Sequence, residues 1–117
     1  MGIARPLEPE HKFVHLDYRQ CDITDNWTFD KLCQETYSKF GHIDILINST
    51  GFKLPAAESY NYEQLVNQTL RTNLVATYKY CDVIIKFMKL EEGSIININS
   101  IGSYFGFPGN PTYAASN

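Results

Sequence analysis

The sequence predicts a parallel α/β fold, because segments with the composition of strands alternate with segments of helical periodicity. Strands are predicted at 13–21, 43–48 and 94–99, and one helix is predicted in each interval between them. The strand at 43–48 is a short apolar run, which is typical of a parallel strand covered on both faces. With 117 residues, the chain can form one hydrophobic core but not separate cofactor and substrate domains.

The first predicted helix has recognisable signals at both ends. Apolar residues recur at helical spacing from Phe29 to Phe40. Asp25 or Thr24 can cap its N-terminus by accepting hydrogen bonds from the free backbone N–H groups there, and Gly41 suits the left-handed position after its end. We therefore expect a helix of about four turns between the first two strands.

The second predicted helix is the longest. Asn61, with Gln64 three residues later, resembles a capping box at its start. A period of 3.6 residues then continues through Met88, and we expect a break near Arg71 and an end at Gly93. After the third strand, glycines and prolines predict a loop: Gly102, Gly106, Pro108, Gly109 and Pro111.

Charge and composition argue against several classes of function. The net charge is −3, and the lysines and arginines are scattered rather than forming the basic stripe that binds a phosphate backbone. No apolar run approaches the roughly 20 residues of a membrane span, and the N-terminus lacks the apolar core of a signal peptide. The three cysteines are far apart and no CxxC occurs, which argues against disulfides and a zinc site. We expect a cytoplasmic protein without nucleic-acid, membrane or metal partners.

Small polar residues follow each predicted strand. Asp22 and Ile23 follow the first strand, Asn-Ser-Thr-Gly at 48–51 ends the second, and Ser100 follows the third. In open parallel sheets, ligands bind beyond the carboxyl ends of the strands. Glycine and small polar residues let the backbone approach a ligand closely. We therefore expect a ligand-binding site at this edge of the sheet.

The turns after the first two strands resemble those of the short-chain dehydrogenase/reductase family. Asp-Ile-Thr-Asp at 22–25 is similar to the family's aspartate segment after its third strand, which implies a contact to the adenine of NAD or NADP. Residues 48–51 resemble the family's Asn-Asn-Ala-Gly turn, with Ser49 and Thr50 as departures. The resemblance implies cofactor contacts from six residues: Asp22, Ile23, Asn48, Ser49, Thr50 and Gly51.

Three further residues match catalytic positions of the family. Asn73 matches the asparagine of its catalytic helix, and Ser100 and Tyr113 have the thirteen-residue spacing of its serine and tyrosine. Pro-Thr-Tyr-Ala-Ala-Ser at 111–116 is similar to the run around that tyrosine. The resemblance implies hydride transfer between a nicotinamide cofactor and a small carbonyl or alcohol substrate. Ser100 would hold the substrate oxygen, Tyr113 would supply the proton, and Asn73 would anchor a relay water.

Two departures from the family pattern concern the cofactor and the proton. No GxxxGxG phosphate turn occurs in the 117 residues, so the usual backbone site for a pyrophosphate is missing. Asn117 stands at the position of the family's catalytic lysine and carries no charge. On this resemblance, residues 13–117 are a partial NAD(P)-binding Rossmann domain, preceded by an irregular lead-in at 1–12.

The resemblance also implies an incomplete Rossmann-like parallel sheet. The predicted strands would be the third, fourth and fifth in the order 3-2-1-4-5, with a gap of roughly 14 Å between the third and the fourth. We therefore interpret the chain as a fragment of an oxidoreductase whose complete form is a homo-oligomer, with residues around 72–88 at the subunit interface. Two alternatives stay open: a non-catalytic relative that acts as a binding or oligomerisation module, and a fragment of a nucleotide-sugar epimerase or dehydratase.

Overall fold

The computed structural model describes residues 17–52, 61–89, 91–106 and 108–117. These residues confirm the predicted α/β class, since helices pack on a small parallel sheet. Among them, no helix is both long enough and apolar enough to cross a membrane. In chain order the elements are α1 (Asn26–Phe40), β1 (Ile45–Asn48), α2 (Tyr62–Leu70), a π turn (Arg71–Val75), α3 (Ala76–Ile84), a 3₁₀ turn (Ile85–Phe87), β2 (Ser94–Asn97), α4 (Gly102–Phe105) and α5 (Pro111–Ser116).

Helix α1 has the predicted capping residues. The Asp25 side chain accepts hydrogen bonds from the backbone N–H groups of Trp27 at 3.1 Å and Thr28 at 3.4 Å, which satisfies two free donors at the helix start. Gly41 has a φ of +84°, and its N–H donates to the Tyr37 carbonyl oxygen at 2.7 Å. Of the two predicted caps, Asp25 is therefore the N-cap of this 15-residue helix.

The second helical segment is continuous but distorted. Asn61 caps α2 by accepting a hydrogen bond from the Glu63 N–H at 3.0 Å. The break predicted near Arg71 is a π turn, in which the Ala76 N–H donates to the Arg71 carbonyl oxygen five residues earlier. The helix therefore continues through this point with one widened turn.

The end of this helix differs from the prediction. We expected it at Gly93, whereas the last helical residue is Phe87. Met88 is extended and pairs in parallel with Ile43, so pairing with a distant segment ends the helix. Gly93 lies instead against Met88, since a Cβ at residue 93 would be 2.9 Å from the Met88 sulfur. Gly93 is therefore needed because Met88 packs closely against it, and not because it caps a helix.

Strands β1 and β2 form a parallel two-stranded sheet, as their sequences predict. The register pairs Ile45 with Ser94 and continues to the pair of Asn48 with Asn97. Beyond the last pair, the Ile98 N–H donates to the Asn48 carbonyl oxygen at 2.8 Å. Because the strands are parallel, both carboxyl ends lie at one edge of the sheet.

The first predicted strand does not form in the described residues. Residues 17–21 have no strand structure, and 13–16 lie outside the described residues. A strand needs the hydrogen-bonding edge of a neighbour, and among the described residues β1 and β2 have each other as their strand partners. For the described residues, the predicted order is therefore corrected to helix, strand, helix, strand and two short helices. The numbering of β1 and β2 within a larger sheet stays a prediction.

The two faces of the sheet differ in how well they are covered. Leu46 and Asn48 lie on the face toward α3, where the Asn48 side chain reaches the Cys81 sulfur at 3.6 Å. We expected the strand at 43–48 to be covered on both faces, but among the described residues no element packs on the opposite face of β1, so that prediction was wrong for them. That face carries four exposed isoleucines: Ile45, Ile47, Ile96 and Ile98.

The hydrophobic core lies mainly between α1 and α3. Cys33, Ala76, Tyr80 and Ile84 are buried there, and the rings of Phe29 and Tyr80 stack with centroids 3.7 Å apart. Burial raises the pKa of the Cys33 thiol to about 11, and burial also raises the pKa of the Tyr80 phenol well above its ordinary value. Both groups are therefore protonated at neutral pH.

The segment rich in glycine and proline after β2 contains two short helices, which corrects the prediction of a loop. The Ser100 Oγ accepts a hydrogen bond from the Gly102 N–H at 3.1 Å at the start of α4. The Asn110 Oδ1 accepts one from the Tyr113 N–H at 3.0 Å, and Pro111 occupies the first position of α5, where a missing N–H is tolerated. Side-chain capping by Asn110 thus starts α5 in a segment whose composition favours turns.

Candidate active site

The turn after β1 is held at its base by Asn48. Its Nδ2 donates to the Asn97 Oδ1 at 2.8 Å and to the Cys81 Sγ at 3.6 Å. Asn48 and Asn97 are the last register pair, so this bond ties the ends of the two strands together. Residues 49–51 are exposed beyond that pair. Asn97 was not among the predicted site residues, although a polar residue inside an apolar strand is a usable signal.

Asn73 joins three segments of the chain. It lies in the π turn and is 7% exposed. Its Oδ1 accepts a hydrogen bond from the Phe52 N–H at 2.8 Å, while its Nδ2 donates to the Phe52 carbonyl oxygen at 3.1 Å and to the Ser116 Oγ at 2.8 Å. One carboxamide therefore connects the π turn, the turn after β1 and helix α5. We call this arrangement of Phe52, Asn73 and Ser116 the junction.

The hydrogen bonds of Asn73 bear on its predicted role. A carboxamide has two N–H donors, and here they bind Phe52 and Ser116. Its backbone carbonyl accepts a hydrogen bond from the Thr77 Oγ1 at 2.8 Å. A relay water would therefore have to donate to an oxygen of Asn73, because no side-chain N–H is left to hold it.

Tyr113 lies where α5 meets the turn after β1. A Cβ at residue 51 would lie 3.9 Å from the Tyr113 hydroxyl oxygen, so this hydroxyl lies beside Gly51. Asn110 and Pro111 start α5 just before Tyr113, which places the tyrosine in the first turn of the helix. A residue predicted for catalysis and a residue predicted for cofactor binding thus meet at one point.

Asn117 folds back on α5. Its Nδ2 donates to the Tyr113 carbonyl oxygen at 2.6 Å and to the Ser116 Oγ at 3.4 Å. The Tyr113 carbonyl oxygen, near the end of the helix, thus accepts one hydrogen bond from Asn117 and a second from the Ser116 Oγ at 2.9 Å. Because a carboxamide is neutral, the side chain of residue 117 supplies no positive charge next to Tyr113.

Ser100 lies at the same edge of the sheet, after β2. Its Oγ accepts a hydrogen bond from the Gly102 N–H, and its carbonyl oxygen accepts bonds from the Ser103 N–H at 3.0 Å and hydroxyl at 2.7 Å. The Ser100 hydroxyl hydrogen has no acceptor among the residues that the structure describes. Helix α4, which follows, packs against α5. Ser100 can therefore donate a hydrogen bond to a ligand oxygen near the helix that carries Tyr113.

Asp22 borders a cleft of about 410 Å³ between the turn before α1 and the second helical segment. Hydrogen bonds from the Thr24 N–H and Oγ1, both at 2.8 Å, hold the pKa of Asp22 below its ordinary value. Its carboxylate is therefore ionised at neutral pH, and Ile23 beside it is half-buried. The lining of the cleft includes Asp22, Thr24, Gln64, Asn67, Arg71 and Thr72.

The predicted site residues thus lie in two places that the π turn connects, since Thr72 lines the cleft and Asn73 belongs to the junction. Asp22 lies at the cleft, with Ile23 next to it in the chain. Within the described ranges, no three His, Cys, Asp or Glu side chains are placed to hold a metal ion. The other predicted residues lie at the carboxyl edge of the sheet or at the junction: Asn48, Ser49, Thr50, Gly51, Asn73, Ser100, Tyr113 and Asn117.

Comparisons with known proteins agree on one family. The family model for short chain dehydrogenase matches residues 6–117. The chain is 31% identical over 96 residues to a 3-ketodihydrosphingosine reductase of Bacteroides thetaiotaomicron, which covers 81% of this chain and 36% of that protein. It is 32% identical over 96 residues to an L-fucose dehydrogenase of Mus musculus, which covers 81% of this chain and 35% of that protein. The chain spans little more than a third of the length of these relatives.

Solved structures show the same likeness. The chain is similar to ElxO with NADP bound, with a TM-score of 0.75 and 29% identity over 86% of this chain and 41% of that one. It is also similar to a short-chain dehydrogenase/reductase (glucose/ribitol dehydrogenase) from Brucella melitensis, with a TM-score of 0.73 over 82% of this chain and 39% of that one. At 24% identity, this second likeness shows the fold alone.

Proposed function

The chain belongs to the short-chain dehydrogenase family, and from this premise we propose that it is part of an oxidoreductase that uses NAD or NADP. The proposed reaction is hydride transfer between the nicotinamide and a carbonyl or hydroxyl group of a small molecule. The observation that carries the proposal is the Tyr113 hydroxyl beside Gly51, at a sheet edge that also bears Ser100. Relatives named as a reductase and a dehydrogenase, and a similar structure with NADP bound, support it over an epimerase or dehydratase.

The cofactor part of the proposal rests on two surfaces. At the sheet edge, residues 48–51 would contact the cofactor, and the Tyr113 hydroxyl lies beside Gly51 in this turn. In the cleft, the Asp22 carboxylate and the Thr72 hydroxyl are groups that can hydrogen-bond to an adenine ring. We place the adenine end near Asp22 and Ile23. When bound, the dinucleotide supplies the hydride.

The chain's own residues would handle the substrate oxygen and its proton. Ser100 donates a hydrogen bond to that oxygen, and Tyr113 delivers the proton in reduction or takes it in oxidation. Asn73 contributes by holding α5 against the turn after β1. Asn117 hydrogen-bonds to the Tyr113 backbone and adds no charge, so residue 117 itself would not assist the proton transfer through a positive charge.

Asn117 also favours a second candidate, a non-catalytic relative that acts as a binding or oligomerisation module. The residue at the family's lysine position has its amide nitrogen 2.6 Å from the Tyr113 carbonyl oxygen, so it serves the helix end. A module of this kind keeps the junction and the surfaces around it but lacks efficient proton transfer. It would bind a nicotinamide dinucleotide or a partner without turnover.

The surface of the long helical segment supports the proposal of a homo-oligomer. Leu74, Tyr78 and Ile85 are more than half exposed, with Tyr78 at 71%, and their spacing places them on a similar side of the helix. These three side chains therefore contribute little to packing among the described residues, and we propose that a second copy covers them. We also propose a cytoplasmic location, because all three cysteines are free.

Calorimetry with NAD and NADP, combined with an assay of NADPH absorbance, tests the proposed function on the protein that carries these 117 residues. We expect binding and turnover with a panel of carbonyl substrates. Tyr113→Phe should retain binding and lower kcat by about 100-fold or more, since it removes the proton donor. Tyr37→Phe is the matched control, because this tyrosine lies on α1 with its ring against Phe87.

The outcomes separate the two candidates. Binding with turnover that depends on Tyr113 supports the oxidoreductase. Binding with no turnover on any substrate supports the non-catalytic module. If the protein binds neither dinucleotide in its oxidised or reduced form, the proposed use of NAD or NADP is wrong.

A further inference from the structure

Ser116 makes a buried bridge that is outside the roles assigned so far. It is the last residue of α5 and is 4% exposed. Its Oγ accepts a hydrogen bond from the Asn73 Nδ2 at 2.8 Å and donates one to the Tyr113 carbonyl oxygen at 2.9 Å. One hydroxyl therefore contacts the side chain that holds the turn after β1 and the backbone of the proposed proton donor.

The short length of α5 makes this bridge important. The helix has six residues, and helices of that length are not stable by themselves in water. The Asn110 side chain supports its first turn by accepting the Tyr113 N–H. At the other end, Ser116 is bonded to a residue 43 positions earlier in the chain. The bond to Asn73 therefore acts together with the packing of α5 on α2 and α4 in fixing where α5 lies.

Asn73 has no other donor with which to replace this bond. One of its N–H groups already binds the Phe52 carbonyl oxygen, and the second binds Ser116. Without the Ser116 hydroxyl, a buried N–H loses its acceptor, which is unfavourable unless the carboxamide moves. Such a movement would loosen the pair of bonds to Phe52, next to Gly51. The turn after β1 and α5 would then lose their fixed relation.

We propose that Ser116 is a positioning residue, which couples the turn after β1 to α5 and keeps the Tyr113 hydroxyl beside Gly51. The inference rests on the proposed oxidoreductase function. Ser116 acts through Asn73 and Tyr113, so its removal should misplace the proton donor without removing it. We expect Ser116→Ala to lower kcat about tenfold, since small errors in the position of a reacting group are costly, and to change the KM for the cofactor less than about twofold.

Three variants of the protein that carries this chain test the proposal. Ser116→Ala removes the bridge, and Ser116→Thr keeps a hydroxyl at the same position. Thr36→Ala is the matched control, because the Thr36 hydroxyl donates to the Leu32 carbonyl oxygen at 2.7 Å within α1. It removes a local hydroxyl-to-carbonyl bond like that of Ser116 and leaves the junction intact.

Nuclear magnetic resonance gives a readout that does not depend on activity. The side-chain amide signals of Asn73 and the backbone amide signal of Phe52 report the two sides of the junction. We expect both to shift in Ser116→Ala, to stay close to the wild-type positions in Ser116→Thr, and not to move in Thr36→Ala. Unchanged signals in Ser116→Ala would overturn the proposed coupling, whether or not the protein is an oxidoreductase.

Kinetics gives the second readout. A fall in kcat in Ser116→Ala, recovery in Ser116→Thr and no change in Thr36→Ala support the positioning role. An unchanged kcat in Ser116→Ala, in a wild-type protein that turns over, overturns that role and leaves the proposed function standing. If the wild type binds no dinucleotide, the proposed function fails, and the resonance shifts alone decide the coupling. If Ser116→Thr does not fold, Ser116→Cys replaces it, with a kcat expected between those of wild type and Ser116→Ala.

Discussion

The outer face of the two-stranded sheet is the face that carries the four exposed isoleucines. The junction and this outer face differ in how completely the described residues bury them and pair their polar groups. At the junction, Asn73 is 7% exposed and each N–H of its side chain has an acceptor. On the outer face, Ile47 is 58% exposed and its register partner Ile96 is 44% exposed. The polar region is therefore buried and fully paired, while the apolar region faces solvent.

This contrast shows which contacts the described residues can provide for themselves. The three segments that meet at the junction all belong to the described chain. Each segment therefore finds its hydrogen-bond partners within these three. The isoleucine face would need a further layer of structure to be buried, as the faces of sheets in folded domains are. We therefore expect substitutions at the junction to affect stability strongly and substitutions on the outer face to affect it weakly.

Asn73→Ala is expected to have the largest effect. It removes three hydrogen bonds, two to the Phe52 backbone and one to the Ser116 Oγ, which should lower the free energy of unfolding by about 3 kcal/mol. Urea denaturation followed by circular dichroism measures this loss. Thr77→Ala is the control, because it removes one hydrogen bond to the Asn73 carbonyl and should cost only about 1 kcal/mol. Equal losses would mean that the Asn73 carboxamide is not central to the junction.

Leu46 and Ile47 allow a direct comparison of the two faces of the sheet. Leu46 is half-buried on the face toward α3, whereas Ile47 lies on the outer face. Leu46→Ala should lower the free energy of unfolding by about 1.5 kcal/mol more than Ile47→Ala, because it removes more buried apolar surface. The same denaturation experiment compares them. A larger loss in Ile47→Ala would show that the outer face is covered in solution.

Asp22 should contribute a smaller effect that depends on pH. Hydrogen bonds from Thr24 lower the pKa of Asp22 in the folded chain below its ordinary value of 3.8. The folded state therefore holds this proton less tightly than the unfolded state. The stabilisation is fully present above the unfolded pKa and is lost as pH falls through the folded pKa. Because Asp22 is largely exposed, we expect less than about 0.5 kcal/mol.

Denaturation of wild type and Asp22→Asn between about pH 5 and pH 2 tests this expectation, since the unfolded carboxyl titrates within that window. The difference in stability between the two proteins should shrink as the pH falls. Asn73 and the isoleucines of the outer face do not ionise. The pH dependence of this difference in stability therefore reports on Asp22 at the cleft and not on the junction or the outer face. A difference that stays constant with pH would contradict the assigned hydrogen bonds.

We expect the smallest effect from Asn117→Lys. This substitution should not change the activity of the 117-residue chain by itself. The sequence contains no GxxxGxG turn for a pyrophosphate, so we expect this chain alone neither to bind NADPH tightly nor to oxidise it. A lysine restores charge near Tyr113 but adds nothing that holds the phosphates. Calorimetry and absorbance assays of both chains measure this. Turnover by either chain would show that the junction and its surroundings suffice for catalysis.

Local signals in the sequence predicted most of the helical structure. Asp25 and Gly41 act on backbone groups within one helical turn, so their roles at the ends of α1 follow from neighbouring residues. A break near Arg71 was also predicted, and the structure has a π turn there. The cores of β1 and β2 were predictable as short apolar runs followed by small polar residues.

Contacts between distant segments were not predictable in this way. The helix ends at Phe87 because Met88 pairs with Ile43, and periodicity carries no information about such a partner. The family resemblance predicted Asn73 and Tyr113 as site residues but not Ser116, whose role depends on the side chain that meets it across 43 positions. The sequence pattern shows where each residue type occurs, but it does not show which distant residues pair with each other.

The π turn at Arg71–Val75 has a consequence for how this chain can change in length. A π turn holds one residue more than the corresponding turn of an α-helix, and here α2 still packs on α5 while α3 packs on α1. Deleting one residue within the turn would restore a regular helix and keep both packing faces aligned, but it would withdraw Asn73 from Phe52 and Ser116. The extra residue of the π turn therefore lets Asn73 reach the other two segments of the junction while α2 and α3 keep their packing.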